Sequence, residues 1–174
     1  MPDLKYPIGK FEAPRGISAE LRDQFIAQIA AAPSQLRHVV DGLTPQQLKT
    51  PYREGGWTVC QVVHHLPDSH FNAYARFKLA VTEDEPAIKP YDEAQWAKLA
   101  DACEPDLRDS LVLLEALHQR WTRFLRSLGE AQFKRTYHHP ESGIVSLDVA
   151  LAAYAWHGRH HIAHIAELRK RMDW

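Results

Sequence analysis

The segment AWHGRHHIAHI, residues 155–165, carries His157, His160, His161 and His164, four of the eleven histidines in a chain of 174 residues. Two imidazoles one helical turn apart can close on a single metal ion. The spacing supplies two such pairs, His157/His161 and His160/His164. Between the first pair stand Gly158, Arg159 and His160, so the segment is not HExxH. It lacks the glutamate that serves as general base in zinc proteases of that type, which argues against that chemistry. A catalytic site of this kind uses three protein ligands and keeps one position open, so two histidines are one short. A second cluster, VVHHLPDSH at residues 62–70, offers His64, His65 and His70. His38, His118, His138 and His139 are scattered and read as surface or structural residues.

Helical elements must position these residues. Residues 18–43 predict a first long helix, capped by Ser18 and closed near Gly42, which Pro33 should kink or divide. TPQQL, 44–48, is a short turn of helix with Thr44 as cap and Pro45 at its first position. PYREGG is a loop. A second long helix follows to about residue 84, with Thr58 as N-cap. EPAIKPYDE is a proline-rich connector, and EAQWAKLA, 93–100, a short helix. A third long helix spans 106–129, ended by Gly129. Residues 134–148 form a long connection with a small hairpin around Pro140–Gly143. The last long helix starts at the Ser146 cap and runs to about Met172, where Arg169, Lys170 and Arg171 complement its dipole. The pattern predicts an all-α chain, a four-helix bundle with long connections, forming a single domain over 1–174 with residues 1–17 as an extended N-terminal strap. The connections are long enough for a non-sequential packing order, which pattern alone does not select.

Helical periodicity then sorts the histidines by face. On the last helix one stripe runs Leu147, Ala150, Tyr154, His157, His161, Ile165 and Leu168, an apolar face with two histidines set into it. His160/His164 turn toward the flank of Arg171, although His164 points close to the direction of His157, two turns along. On the second long helix, Val59, Val62, Val63, Leu66, His70, Ala73, Tyr74 and Phe77 share a face, which makes His70 the simplest core histidine. His65 falls on a polar stripe with Gln61, Asp68, Asn72 and Arg76, either a solvated face or the wall of a polar cleft. The plainer alternative for all of them is a set of packed or solvent-facing histidines with no ligand. Gly158 costs about 1 kcal/mol against alanine in mid-helix, which a closely packed helix or a ligand would explain.

Composition narrows the classes. A net charge of −1 provides no basic field for nucleic acid. No apolar run approaches the ~20 residues that span a bilayer. Cys60 and Cys103 do not make a disulfide framework, and MPDLKYPIGKFEAPRG has no apolar signal core, so a reducing, cytoplasmic setting is expected. Trp57 and Trp156 adjoin the histidine segments and are candidates for pocket walls.

The stretch from PYREGGWTVCQVVHHLPDSH onward to DEAQW, with QFKRTYHHP and WHGRHHIAHIAELRKRM, resembles the YfiT-type proteins of the DinB superfamily, and the likeness extends to YPIGKF near the start. The resemblance implies a four-helix bundle with one divalent ion, zinc or nickel, held by three histidines. The positions that match are His65, His157 and His161. It further implies a homodimeric, metal-dependent hydrolase acting on a small molecule through metal-activated water. Relatives that transfer bacillithiol-type thiols make an S-transferase the alternative, and a non-catalytic metal-binding bundle is the third reading. Two departures stand out: Pro67 where alanine is common, two residues from His65, and Cys60 where arginine is common. Pro67 removes a donor to the Val63 carbonyl and puts the local ligand geometry at issue. Cys60 reads as a small residue flanking the core. Asp68 is a candidate to orient a ligand imidazole or act as base, against a plain solvated helix residue.

Overall fold

Ser18, Thr44, Thr58 and Ser146 each cap a helix in the computed structural model, which describes residues 3–174. The Thr58 hydroxyl accepts from the Gln61 N–H, and the Gln61 side chain returns to accept from Thr58 N at 2.9 Å. This reciprocal box fixes where the helix bearing His65 begins. The elements in chain order are α1 (Ala19–Val40), α2 (Pro45–Leu48), α3 (Val59–Thr82), α4 (Glu93–Trp96), α5 (Ala100–Cys103) and α6 (Arg108–Arg126). They continue with α7 (Glu130–Phe133), β1 (Thr136–His139), β2 (Gly143–Ser146) and α8 (Leu147–Met172). The antiparallel β1–β2 hairpin pairs Thr136 with Ser146 and His139 with Gly143.

Three local expectations change. α1 is one helix with Pro33 inside it, not two. The helix expected over 93–100 is two separate turns, α4 and α5. The third long helix stops at Arg126, because Ser127 caps back onto the Phe124 carbonyl at 2.7 Å. Gly129 instead opens α7, its N–H donating to the Gln132 side chain at 2.8 Å.

The four long helices form a four-helix bundle in which α1 packs on α6 and α8, and α3 packs on the same two. Consecutive long helices α1 and α3 therefore lie across the bundle from one another, as do α6 and α8. The long segments between α1 and α3, and between α6 and α8, make this order possible. Two apolar clusters fill the interior. One joins Leu36, Val59, Leu66, Leu114, Ile165 and Leu168. The other joins Ile29, Phe77, Trp121, Leu125, Leu147 and Leu151. Along α3, α6 and α8 the chain passes from one cluster to the other across a polar level of histidines, among them His70, His118, His157 and His161.

At the start of α8, Asp148 accepts from Arg22 Nε at 2.7 Å and Nη2 at 3.0 Å, both side chains buried. Lys134 adds a third contact at 3.0 Å. This two-pronged pair ties α1 to α8. No helix of the described residues is long and apolar enough to cross a membrane.

Candidate metal centre

His65 projects from α3 toward His157 and His161 on α8, and one ring nitrogen from each of the three lies within 4.8 Å of the others. His65 Nε2 and His157 Nε2 are 3.3 Å apart. Two imidazole nitrogens sharing a tetrahedral zinc at about 2.0–2.1 Å would stand about 3.3 Å apart, so this pair already has that separation. The ring centroids of His65 and His161 are 4.9 Å apart, and those of His157 and His161 4.5 Å. Nδ1 of His161 is buried with no hydrogen-bond partner, a cost the fold carries without repayment from the protein. The donor set, three imidazoles, suits zinc or nickel.

The paired histidines of α3 divide their work. His64 faces the other way: its Nε2 donates to the Glu104 carbonyl at 2.8 Å and its Nδ1 accepts from Ser110 Oγ at 2.7 Å. It ties α3 to the segment leading into α6. One residue on, about 100° around the helix, His65 enters the cleft and is 7% exposed. The polar stripe read from the sequence therefore splits. His65 and Arg76 line the cleft, whereas Gln61 donates to the Ala97 carbonyl at 2.6 Å. Asp68 makes no hydrogen bond to His65, His157 or His161. Burial and Asp101 raise its carboxyl above the usual range. α3 stays helical through Pro67 and still delivers His65 to the cluster.

A chain of hydrogen bonds behind the cluster decides which nitrogen of His157 faces it. A residue at position 33 would ordinarily donate its N–H to the carbonyl of Ile29, but Pro33 has none. His118 Nδ1 occupies that carbonyl instead, at 2.6 Å. A carbonyl only accepts, so Nδ1 carries the proton. Burial lowers the His118 pKa to about 4, leaving its Nε2 bare at neutral pH. That Nε2 lies 2.8 Å from His70 Nδ1, which must donate. His70 Nε2, bare in turn, lies 3.0 Å from His157 Nδ1, which must also donate. The outcome is His157 as the Nδ1–H tautomer with a lone pair on Nε2, aimed at His65 and His161. A hydrogen bond between the two Nε2 atoms would need a proton on His65; a shared ion needs none.

Burial also brings the pKa of His65 down to about 4, and burial followed by the neighbouring imidazoles holds His70, His157 and His161 well below the ordinary histidine value. All present neutral rings at neutral pH, the form that binds metal.

His70 is the core histidine that its apolar face predicts. His118, read from the sequence as surface or structural, is 1% exposed and belongs to this relay. Its signal was present: Leu114, His118, Trp121 and Leu125 follow the helical period. Gly158 permits the close approach of α8, since a Cβ there would stand 3.4 Å from Ala32 Cβ and 3.6 Å from His70 Cε1.

The cluster opens on a cavity of about 950 Å³. Trp57 and Trp156 both line it. Trp57 packs against His65, ring centroids 4.7 Å apart, and Trp156 stacks on His160 at 4.3 Å. His164 stacks on Tyr52 at 3.9 Å and donates Nε2–H to the Lys5 carbonyl at 3.2 Å, holding the N-terminal segment over this wall. His160 and His164 thus line the cavity beside the cluster without joining it. Cys60 is buried, with Sγ 3.2 Å from Thr58 Oγ1 and 3.7 Å from the Cys103 carbonyl, away from the cluster.

Comparison with known proteins agrees with this architecture. The family model of the DinB superfamily matches residues 28–165. The chain belongs to the DinB superfamily. The matched span holds His65, His70, His118, His157 and His161. Within it, the "Putative metal-dependent hydrolase YfiT" of Bacillus subtilis (strain 168) is 51% identical over 173 residues, covering 99% of this chain and 97% of the relative. A relative of the same description from Bacillus cereus (strain ATCC 10987 / NRS 248) is 53% identical over the full length of both chains. The solved structure of the Bacillus subtilis YfiT, described as a probable metal-dependent hydrolase with an unusual four-helix bundle topology, superposes with a TM-score of 0.96 at 52% identity, over 98% of each chain. A second four-helix bundle protein, at 18% identity and a TM-score of 0.54, shares the fold alone.

Proposed function

We propose that this DinB-superfamily protein is a divalent-metal-dependent hydrolase of a small-molecule substrate, with His65, His157 and His161 holding one zinc or nickel ion. The observation that carries the reading is the convergence of three neutral imidazoles, two buried and one partly buried, on the wall of a large cavity, one of them with its tautomer fixed from behind. The description of its relatives as metal-dependent hydrolases supports the same reading. A bound divalent ion supplies Lewis acidity and lowers the pKa of a water molecule toward ~7.

The chain's own residues do the rest. His70 and His118 keep the His157 proton on Nδ1, so that Nε2 is available without reorganisation. Trp57 packs on His65 and stacks nearly parallel to His161, with centroids 6.2 Å apart, and so holds both rings in place at the cavity wall. The family resemblance further supports a homodimer, and two cysteines outside any disulfide framework support a reducing cytoplasm.

The test compares metal-loaded with chelator-stripped protein on a panel of esters and amides, each with and without a bacillithiol-type thiol. Chelator-sensitive hydrolysis without thiol is expected. Consumption of electrophiles only when thiol is present would replace hydrolysis with S-transfer at the same residues.

A further inference from the structure

The chain buries two arginines, Arg22 at 7% and Arg76 at 9% exposure, and partners them differently. Arg22 has its counter-charge: two of its nitrogens donate to Asp148. Arg76 has none. No carboxylate oxygen of the described residues lies within 4.0 Å of its guanidinium. Its one hydrogen bond among the described residues is a long one, Nη1 to the Tyr154 hydroxyl at 3.5 Å. A guanidinium has five N–H donors in a planar fork, and a buried cation lacking an anion is expensive to keep.

The same guanidinium lines the cavity into which His65, His157 and His161 open. Arg76 and His65 both stand on α3, and helical side chains lean toward the N-terminus, so Arg76 reaches back in the direction of His65. Tyr154, its hydrogen-bond acceptor, precedes His157 by three residues on α8, about 4.5 Å along the axis. The Tyr154 and His157 rings pack with centroids 5.8 Å apart. The cation is therefore set on the same cavity as the histidine cluster, on its Tyr154 side. Asp92, Glu93 and Glu141 line the same cavity, yet they leave the guanidinium unpaired.

We propose that Arg76 binds an anionic group of the substrate, a carboxylate or a phosphoryl oxyanion, while the reacting bond of the same molecule lies at His65, His157 and His161. The second half of this statement rests on the metal-centre reading above. The guanidinium fork matches either anion with two parallel hydrogen bonds, a geometry lysine does not reproduce. The substrate class is thus a small molecule with a negative charge displaced from its labile bond, and neutral analogues bind poorly.

Hydroxamates provide the probe, because their chelating head reports on the metal centre and their tail reports on Arg76. Zinc-loaded protein is titrated with acetohydroxamate and with hydroxamates carrying a carboxylate, a phosphonate or a neutral carboxamide tail on alkyl linkers of graded length. The expected result is that at one linker length a carboxylate or phosphonate tail improves affinity at least about tenfold over its carboxamide twin. The better of the two tails identifies the anion. Arg76→Gln should abolish the gain and keep acetohydroxamate affinity, which also reports that the variant is folded; Arg76→Lys should restore part of it. A wild type without any gain, or a gain that survives in Arg76→Gln, overturns the proposal while leaving the metal centre standing. Failure of acetohydroxamate itself to bind zinc-loaded wild type would reject the metal-centre reading, and the Arg76 proposal with it.

Discussion

His70 Nδ1 lies 2.8 Å from His118 Nε2, and the carbonyl of Ile29 on the far side of His118 determines which of those nitrogens holds the proton. Replacing His118 by phenylalanine keeps the ring volume and removes both bonds. His70 then loses its acceptor, and the tautomer of His157 is no longer set. Loss of such outer partners typically weakens metal binding 10- to 100-fold, and zinc affinity of His118→Phe should fall by about that factor. Competition against a chromophoric chelator measures it. His118→Gln, whose amide can both donate to Ile29 and accept from His70, should recover part of the loss. Unchanged affinity in His118→Phe would show that the relay does not reach the site.

Acid should destabilise the metal-free protein through the same residue. His118 has an ordinary pKa of 6.5 and a folded value of about 4. Below 6.5 the unfolded chain takes up a proton that the folded chain refuses, so stability falls as pH drops from about 6.5 to about 4 and levels off below that. His118 alone contributes on the order of 3 kcal/mol to this loss. Urea unfolding across this range, in wild type and His118→Phe, should give a shallower pH dependence for the variant.

The Arg22–Asp148 pair should dominate the stability of the opposite end of the bundle. Asp148→Asn leaves a buried guanidinium without its anion, a change that usually costs about 3–5 kcal/mol. Burial by itself would raise the Asp148 pKa, but hydrogen bonds from Arg22 and Lys134 outweigh it and hold the carboxyl below its ordinary value. A depressed carboxyl stabilises the fold above its unfolded pKa and loses that contribution as pH falls through the folded one. The variant's unfolding midpoint should therefore drop sharply at neutral pH, with little change in zinc affinity, because Asp148 lies outside the histidine cluster.

Much of this arrangement was legible from residue patterning, and the parts that were not have a common reason. Helical period detects a residue among apolar neighbours, which is why His157, His161 and His70 could be placed inward. It does not distinguish solvent from a polar cavity, so His65 and Arg76 looked alike whether exposed or buried, and only the family resemblance selected His65. The role of Pro33 depends on a contact between α1 and α6. Its sequence effect, an unclaimed Ile29 carbonyl, is local, but the imidazole that fills it is 89 residues away. Packing order was likewise hidden, because an apolar stripe defines a face without naming its partner. The caps at Ser18, Thr44, Thr58 and Ser146 were readable because both halves of each interaction lie within three residues.

Metal content is the most direct measurement of the central claim. Wild type and the variants His65→Ala, His157→Ala, His161→Ala, His160→Ala and His164→Ala are stripped with chelator, reloaded with limiting zinc or nickel, and assayed for bound ion per chain. One ion per chain is expected in wild type, His160→Ala and His164→Ala, and loss of tight binding in the other three. Full retention of metal by His65→Ala, or its loss only in His160→Ala and His164→Ala, would contradict the site.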